Sequence, residues 1–234
     1  MKHLRLAVIV TLAGLAACAT PPDHFHTLRP TNASGPAPER AGAALLAIGP
    51  VTVPDALQRD EWLVRNGATG ASVYDHQLWT QGLAADVAQS LGDYLNRDQL
   101  PEGLWADAGP SGSGSGADLE RPAPLRLRVQ VLRFDSILDP KPAVSDQVRW
   151  TIECLPSDAA LGPVEGGRYR TVRTAVHQAS WPAPEADPAI EAAQQRFDQV
   201  ARAHSSALRE VALEVATALR SSAGERAKNC LAPR

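Results

Sequence analysis

The sequence has no excess of basic residues and few aromatic ones. Its 23 Lys and Arg residues are outnumbered by 26 Asp and Glu residues, and only 5% of the chain is aromatic. A protein that binds nucleic acid, or an anionic lipid surface through charge, needs a basic face. The composition therefore predicts neither a nucleic-acid partner nor a polybasic membrane contact.

The motifs that mark common catalytic and metal sites are also missing. The chain contains no HExxH, no CxxC and no acidic calcium loop. The glycine-rich loop at 111–116 is followed by Asp118 and Glu120 rather than by lysine, which excludes a phosphate-binding loop. That loop also lacks the preceding apolar strand of a serine nucleophile elbow. The sequence therefore predicts no enzyme activity, no metal site and no cofactor.

The apolar run at the N-terminus is too short to cross a membrane. About twelve apolar residues would span only ~18 Å as a helix, against a hydrocarbon core of ~30 Å. The run ends in Leu15-Ala16-Ala17-Cys18. This pattern predicts a bacterial lipoprotein signal peptide over 1–17 and lipidation of Cys18; the alternative is an ordinary signal with an incidental cysteine. Ala19, rather than Asp, follows the cysteine, which favours the periplasmic face of the outer membrane and an anchor in its inner leaflet.

Two cysteines remain after lipidation, Cys154 in a predicted strand and Cys230 beyond the last predicted helix. Since the periplasm is oxidising, a disulfide between them would join the C-terminal tail to the sheet. The alternative is two unpaired thiols, because the sequence does not give the distance between the two Cα atoms.

Composition divides the mature chain into three parts. Residues 18–42 are rich in Pro, Ser, Gly and Ala without a sustained period, which predicts a flexible tether in which His24 and His26 are solvated. Residues 43–222 predict one folded domain that is long enough to bury a core. Residues 223–234 predict a C-terminal tail.

Strand patterns and helix patterns both occur in this domain. Apolar or alternating segments predict strands at 43–53, 61–65, 71–76, 125–134, 148–154 and 168–178. Apolar residues at three- and four-residue steps predict helices over 80–97 and 187–220. His204 falls on the apolar stripe of the second helix and is interpreted as a hydrogen-bonded residue at the edge of the core. The patterns predict an α+β fold, with a mostly antiparallel sheet and two main helices packed on one face.

Several stretches, taken in order, are similar to one known family. They are IGPVTVP at 48–54, LQRDEWLVR at 57–65, LWTQGL at 78–83 and the last helix at 197–219. With the lipobox, they resemble the PqiC family (also called YmbA), which are auxiliary lipoproteins of ABC-type and MCE-type transport systems. The matching positions are Pro54, Leu57, Arg59, Arg65, Trp79, Leu83, Phe134, Asp135, Ala203, Ser205, Ala207 and Leu208. The chain departs from the family pattern at Gln58, Asp60, Glu61, Trp62, Leu78, Gln81 and Gly82.

The resemblance implies a fold like the N-terminal domain of TolB and a role without catalysis. It implies an outer-membrane lipoprotein that meets the periplasmic end of an MCE-domain tunnel, with ABC-type or integral components in the inner membrane. Such a protein assists transport of lipids or other hydrophobic molecules between the membranes. Two other classes remain open: a structural or assembly lipoprotein of another outer-membrane complex, and a lipid-anchored hydrolase.

One segment of the chain concentrates residues that suit a protein interface. Pro54, Arg59, Trp62 and Arg65 lie within twelve positions. Proline keeps part of this backbone from regular pairing, and Arg and Trp are frequent at interface hot spots. These residues are predicted to face a partner, either a neighbouring copy in a ring or the tunnel. The alternative interpretation places Trp62 in the core beside Trp79.

Overall fold

The computed structural model describes residues 21–29, 44–98, 100–109, 125–139, 142–154, 170–180 and 189–220. Within them, a mixed sheet of eight strands is accompanied by two long helices. The strands are β1 His24–His26, β2 Ala44–Thr52, β3 Glu61–Asn66, β4 Gly70–Trp79, β5 Leu104–Asp107, β6 Leu125–Ile137, β7 Ala143–Cys154 and β8 Arg170–Ser180. The helices are α1 Leu83–Asp98 and α2 Ala189–Arg220. The predicted α+β class is confirmed.

Strand β6 lies at the centre of the sheet. On one edge it pairs antiparallel with β7, which pairs antiparallel with β8. On the other edge β2 and β3 both run parallel to β6, and β5 extends the sheet from β2 while β4 and then β1 extend it from β3. The long pairings and the β3–β4 hairpin are antiparallel, as predicted. The parallel pairings of β1 and β5 add strands that the sequence patterns did not predict.

Strands β2 and β3 lie end to end along the same edge of β6. Thr52 is in register with Gln130 and Val64 with Ser136, so β6 advances six positions while the neighbouring chain advances twelve. The surplus residues form a loop at 53–60, which begins with the short 3₁₀ turn Asp55–Leu57. This loop therefore leaves and rejoins the sheet beside β6, between two strands that both pair with β6.

The core lies between the two helices and one face of the sheet. Along β6 the buried side chains fall on odd positions from Leu125 to Val131, and on even positions from Phe134 onward, because a bulge between Val131 and Arg133 shifts the alternation. The apolar stripe of α2 packs into the same core through Phe197, Val200, Leu208, Val211 and Val215. This arrangement confirms the predicted helix stripe and leaves the opposite face of the sheet (the open face) uncovered by the described helices.

The prediction of a flexible tether over 18–42 is wrong for residues 23–29. His24–His26 form a strand parallel to β4, and Leu28 is fully buried. The backbone carbonyl of Leu28 accepts a hydrogen bond from Ser205 of α2, and Arg29 Nε donates to Asp93 of α1 at 2.8 Å. The segment is fixed because both helices offer it polar partners. Residues 1–20 and 30–43, which include Cys18, lie outside the described residues.

Candidate functional site

The loop at 53–60 carries the most accessible of the predicted partner-facing residues. Pro54 precedes the 3₁₀ turn, and the Leu57 amide donates to its carbonyl at 2.8 Å. Arg59 is exposed, and its Nε donates to the Ala56 carbonyl at 3.1 Å. That bond holds the guanidinium against the turn, and the group's other N–H donors remain able to bind a carboxylate.

Trp62 does not face a partner, so its prediction as an interface residue is corrected. Its side chain is only 1% exposed, and its ring stacks on Trp79 with centroids 4.2 Å apart. The indole Nε1 donates to Ser136 Oγ at 2.8 Å. The alternative interpretation, in which Trp62 fills the core beside Trp79, is the one that the structure supports, because alternation along β3 directs Trp62 and Val64 inward.

Arg65 lies at the opposite end of β3 from Arg59. It is half-buried, and its Nη2 donates to the Ala68 carbonyl at 3.0 Å across the β3–β4 turn. The strand from Glu61 to Arg65 alone spans about 13 Å, and Arg59 lies on the loop before it. Arg59 and Arg65 therefore do not form one compact site, although both remain accessible.

A polar chain that the sequence patterns did not identify crosses the core. Ser136 Oγ lies 2.8 Å from His204 Nε2, and His204 Nδ1 lies 2.8 Å from a carboxylate oxygen of Asp146. Because the indole of Trp62 can only donate, Ser136 Oγ accepts from it, and the same hydroxyl is hydrogen-bonded to His204 Nε2. His204 then donates from Nδ1 to Asp146, so every member of the chain has a partner.

The order Ser, His and Asp is that of a hydrolase triad, but no substrate reaches it. Ser136 and His204 are fully buried and Asp146 is 1% exposed. Phe134 stacks on the imidazole with ring centroids 3.7 Å apart, and the indole of Trp62 is hydrogen-bonded to the Ser136 hydroxyl. These hydrogen-bonded side chains therefore form a buried structural network, in agreement with the interpretation of His204 as a hydrogen-bonded core residue.

Two further ionisable side chains are buried where the N-terminal segment meets the domain: His26 of β1 and Asp86 of α1. His26 Nε2 is 2.7 Å from Gln77 Oε1, and burial lowers the pKa of the imidazole. Asp86 is fully buried, and burial raises its pKa to about 6, although the hydroxyl of Thr27 at 3.2 Å and the charge of Arg29 oppose the shift. The interpretation of His26 as a solvated tether residue is therefore wrong.

The remaining predicted sites lie partly or wholly outside the part of the chain that is described. Cys154 is the last residue of β7, whereas Cys18 and Cys230 fall outside the described residues, so their lipidation and disulfide stay predictions. Among the residues that are described, no three His, Cys, Asp or Glu side chains are grouped to hold a metal ion. Neither α1 nor α2, the helices of that same part, has the length and apolarity needed to cross a membrane.

Comparison with known proteins identifies both a family and a fold. The model of a family described as "ABC-type transport auxiliary lipoprotein component" matches residues 26–216. A crystal structure of a protein from Xanthomonas campestris, of the DUF330 family, superposes with a TM-score of 0.52 at 14% identity, covering 88% of this chain and 98% of that one. An uncharacterised protein of known structure gives the same TM-score and identity, covering 85% and 99%. No curated protein matches the chain.

Proposed function

Because this chain belongs to the family of ABC-type transport auxiliary lipoprotein components, we propose that it is lipidated at Cys18 and acts at the periplasmic face of the outer membrane. There it docks on the periplasmic end of an MCE-domain tunnel, whose inner-membrane end is joined to ABC-type or integral transport components. It assists the passage of lipids or other hydrophobic molecules between the membranes, as a homo-oligomer and without catalysis.

The observation that supports docking is the long loop at 53–60. A chain that needed only to continue the sheet would cross from β2 to β3 with about as many residues as β6 uses. Val53 and Leu57 pack against the core while only partly buried, and the exposed residues of the loop include Arg59, on a turn held by its own hydrogen bonds. An ordered, exposed arginine loses little conformational entropy on binding, which is a property of interface hot spots.

The lipoprotein family and the N-terminal sequence support the anchor. The family model includes no residue before His26, so the lipidation of Cys18 rests on its lipobox. Three acyl chains, at ~0.8 kcal/mol for each buried CH₂, hold a protein on a bilayer almost permanently. Such an anchor would keep the protein at the outer-membrane end of the transport system.

The test is charge reversal at Arg59 in the full-length lipidated chain. Co-expressed with an MCE-domain protein from the same organism, the Arg59→Glu variant is expected to lose co-purification and oligomer formation, with an unchanged melting temperature. Arg209→Glu, an exposed arginine on α2, is the matched control and is expected to behave as the wild type. Wild-type association of Arg59→Glu, or a wild-type chain that binds no MCE-domain protein, overturns the proposal.

A further inference from the structure

An apolar strip crosses the open face of the sheet at the edge formed by β1, β4 and β3. Phe25 is in register with Leu78, and Leu63 with Val73. Residues directly opposite each other in neighbouring strands project from the same face of a sheet. The strip therefore consists of Phe25, Leu63, Val73 and Leu78, and it faces away from the core that holds Trp62 and Trp79. Glu61, opposite Leu78, lies on the same face at the β3 side of the strip.

The two pairs of side chains follow each other along the same three strands. Leu78 is opposite Glu61 and Val73 is opposite Leu63, with an irregularity of the β3–β4 ladder between Glu61 and Trp62. Phe25 is 64% exposed and Val73 38%, while the two leucines are half-buried. Large apolar side chains that remain exposed together mark an interaction site.

The short path to Cys18 limits what can cover this strip. The described chain begins at Pro21, three residues after Cys18, and a chain advances at most ~3.6 Å per residue. Cys18 is therefore within about 11 Å of Pro21. Asp23 pairs with His76 at 2.9 Å, so the chain leaves β1 beside β4, within a few residues of the strip. The bilayer that holds an acylated Cys18 is therefore close to this edge of the domain.

We infer that the strip of Phe25, Leu63, Val73 and Leu78 rests on the interfacial region of the bilayer in which Cys18 is anchored. This inference depends on the proposed lipidation of Cys18. Aromatic and aliphatic side chains are stable at the level of the lipid headgroups, where their apolar surface leaves water. The neighbouring part of the same face is polar instead of apolar, because β6 and β7 present Arg128 and Arg149 there, hydrogen-bonded to Glu153 and Gln130.

This orientation gives Arg59 and Arg65 different surroundings. Arg65 is in register with Ala71, two residues from Val73, so it lies at the rim of the strip, where its long stem lets the guanidinium reach lipid phosphate. Arg59 lies beyond the opposite end of β3, on the loop between β2 and β3. The lipid contact therefore uses Arg65, and the protein contact uses Arg59.

The experiment replaces single exposed residues with the photo-crosslinking residue p-benzoylphenylalanine in the full-length lipidated protein. Positions 25 and 73 are tested, with position 213 as the matched control, because Leu213 is 43% exposed on α2. The purified proteins are reconstituted in vesicles of phosphatidylethanolamine and phosphatidylglycerol and irradiated. Phospholipid adducts are expected at 25 and 73, with none above background at 213.

Each other outcome has a defined meaning. The same irradiation is also carried out in native membranes. Adducts to protein rather than lipid at positions 25 and 73 in those membranes overturn the inference, and so does the absence of adducts at both positions. Adducts of equal yield at 213 also overturn it, since they report contact without orientation. Membrane flotation of each variant is measured first: failure to float contradicts the lipid anchor of the proposed function, whereas flotation without adducts contradicts the strip alone. Crosslinking is measured at two positions, so that poor folding of one variant does not decide the result.

Discussion

The indole nitrogen of Trp62 lies 2.8 Å from the hydroxyl oxygen of Ser136, in the middle of the core. Residues from three strands and one helix meet in the hydrogen-bonded chain that this contact begins, since Ser136 belongs to β6, Asp146 to β7 and His204 to α2. An apolar core would tolerate several relative positions of these elements. A continuous polar chain requires one, because each displaced member would leave a buried group without its partner.

The first prediction concerns this network. Ser136→Ala removes the acceptor of Trp62 and the hydrogen-bond partner of His204 Nε2, and we expect it to lower the free energy of unfolding by about 1–3 kcal/mol, the usual cost of unpaired buried polar groups. Chemical denaturation measures the loss. Ser206→Ala is the matched control, because Ser206 is exposed and donates only within its own helix, to the Arg202 carbonyl at 2.9 Å. Equal stability of both variants would show that the network does not stabilise the fold.

The second prediction concerns the apolar stripe of α2. Leu208 is 1% exposed, and Leu208→Ala is expected to cost about 2–5 kcal/mol, since it removes buried methyl groups and leaves a cavity. Leu213 lies on the same helix but is exposed, so Leu213→Ala is expected to change stability by less than about 0.5 kcal/mol. Urea unfolding of both variants checks the difference. Similar losses at the two positions would contradict the packing of α2.

The third prediction is a pH dependence that arises from Asp86. Its pKa is raised to about 6 in the folded chain from 3.8, so between these values the folded state retains a proton that the unfolded state releases. Stability from this group is therefore present below pH 4 and is lost as the pH rises toward 6, with a slope of at most about 1.4 kcal/mol per pH unit. Asp86→Asn should gain stability relative to wild type between pH 4 and 7. A constant difference between the two proteins over this range would refute the assignment.

The fourth prediction concerns the anchor. Cys18→Ser removes the thiol that would be acylated, and the variant is expected as an unprocessed precursor or as a soluble periplasmic protein. Cell fractionation and the mass of the mature N-terminus measure the change. Cys154→Ser is a useful control, since it changes another cysteine without touching the lipobox. Quantitative recovery of Cys18→Ser with the outer membrane would show that another feature holds the protein there.

The two helices and the long strands could be predicted because their signals are local. Helices predicted at 80–97 and 187–220 are observed at Leu83–Asp98 and Ala189–Arg220, and the Asn66-Gly67 turn joins β3 to β4 as its residues suggest. In each case, periodicity or a turn residue within a few positions determines the structure.

Strand β1 could not be predicted, because its stability comes from distant partners. His24–His26 is three residues long, and its neighbours in space are β4 and the two helices. The burial of Ser136 could not be predicted for a different reason. The bulge after Val131 reverses the alternation of β6, so a residue that a strict period of two would expose is buried. The burial of Asp146 could have been predicted from the sequence, since Asp146 alternates with the inward-facing Val144 and Val148. A buried carboxylate in turn requires a hydrogen-bond donor.

The hydrogen bond between Ser205 and the Leu28 carbonyl joins positions 177 residues apart. A chain made from its N-terminus exposes the residues around Leu28 first, yet their partners on α2 are among the last to be synthesised. Contacts this distant in sequence close slowly, because the loop entropy must be lost before they form. The segment around Leu28 therefore cannot form its hydrogen bond to α2 before that helix has been synthesised, and it packs into the domain only after the C-terminal helix is complete.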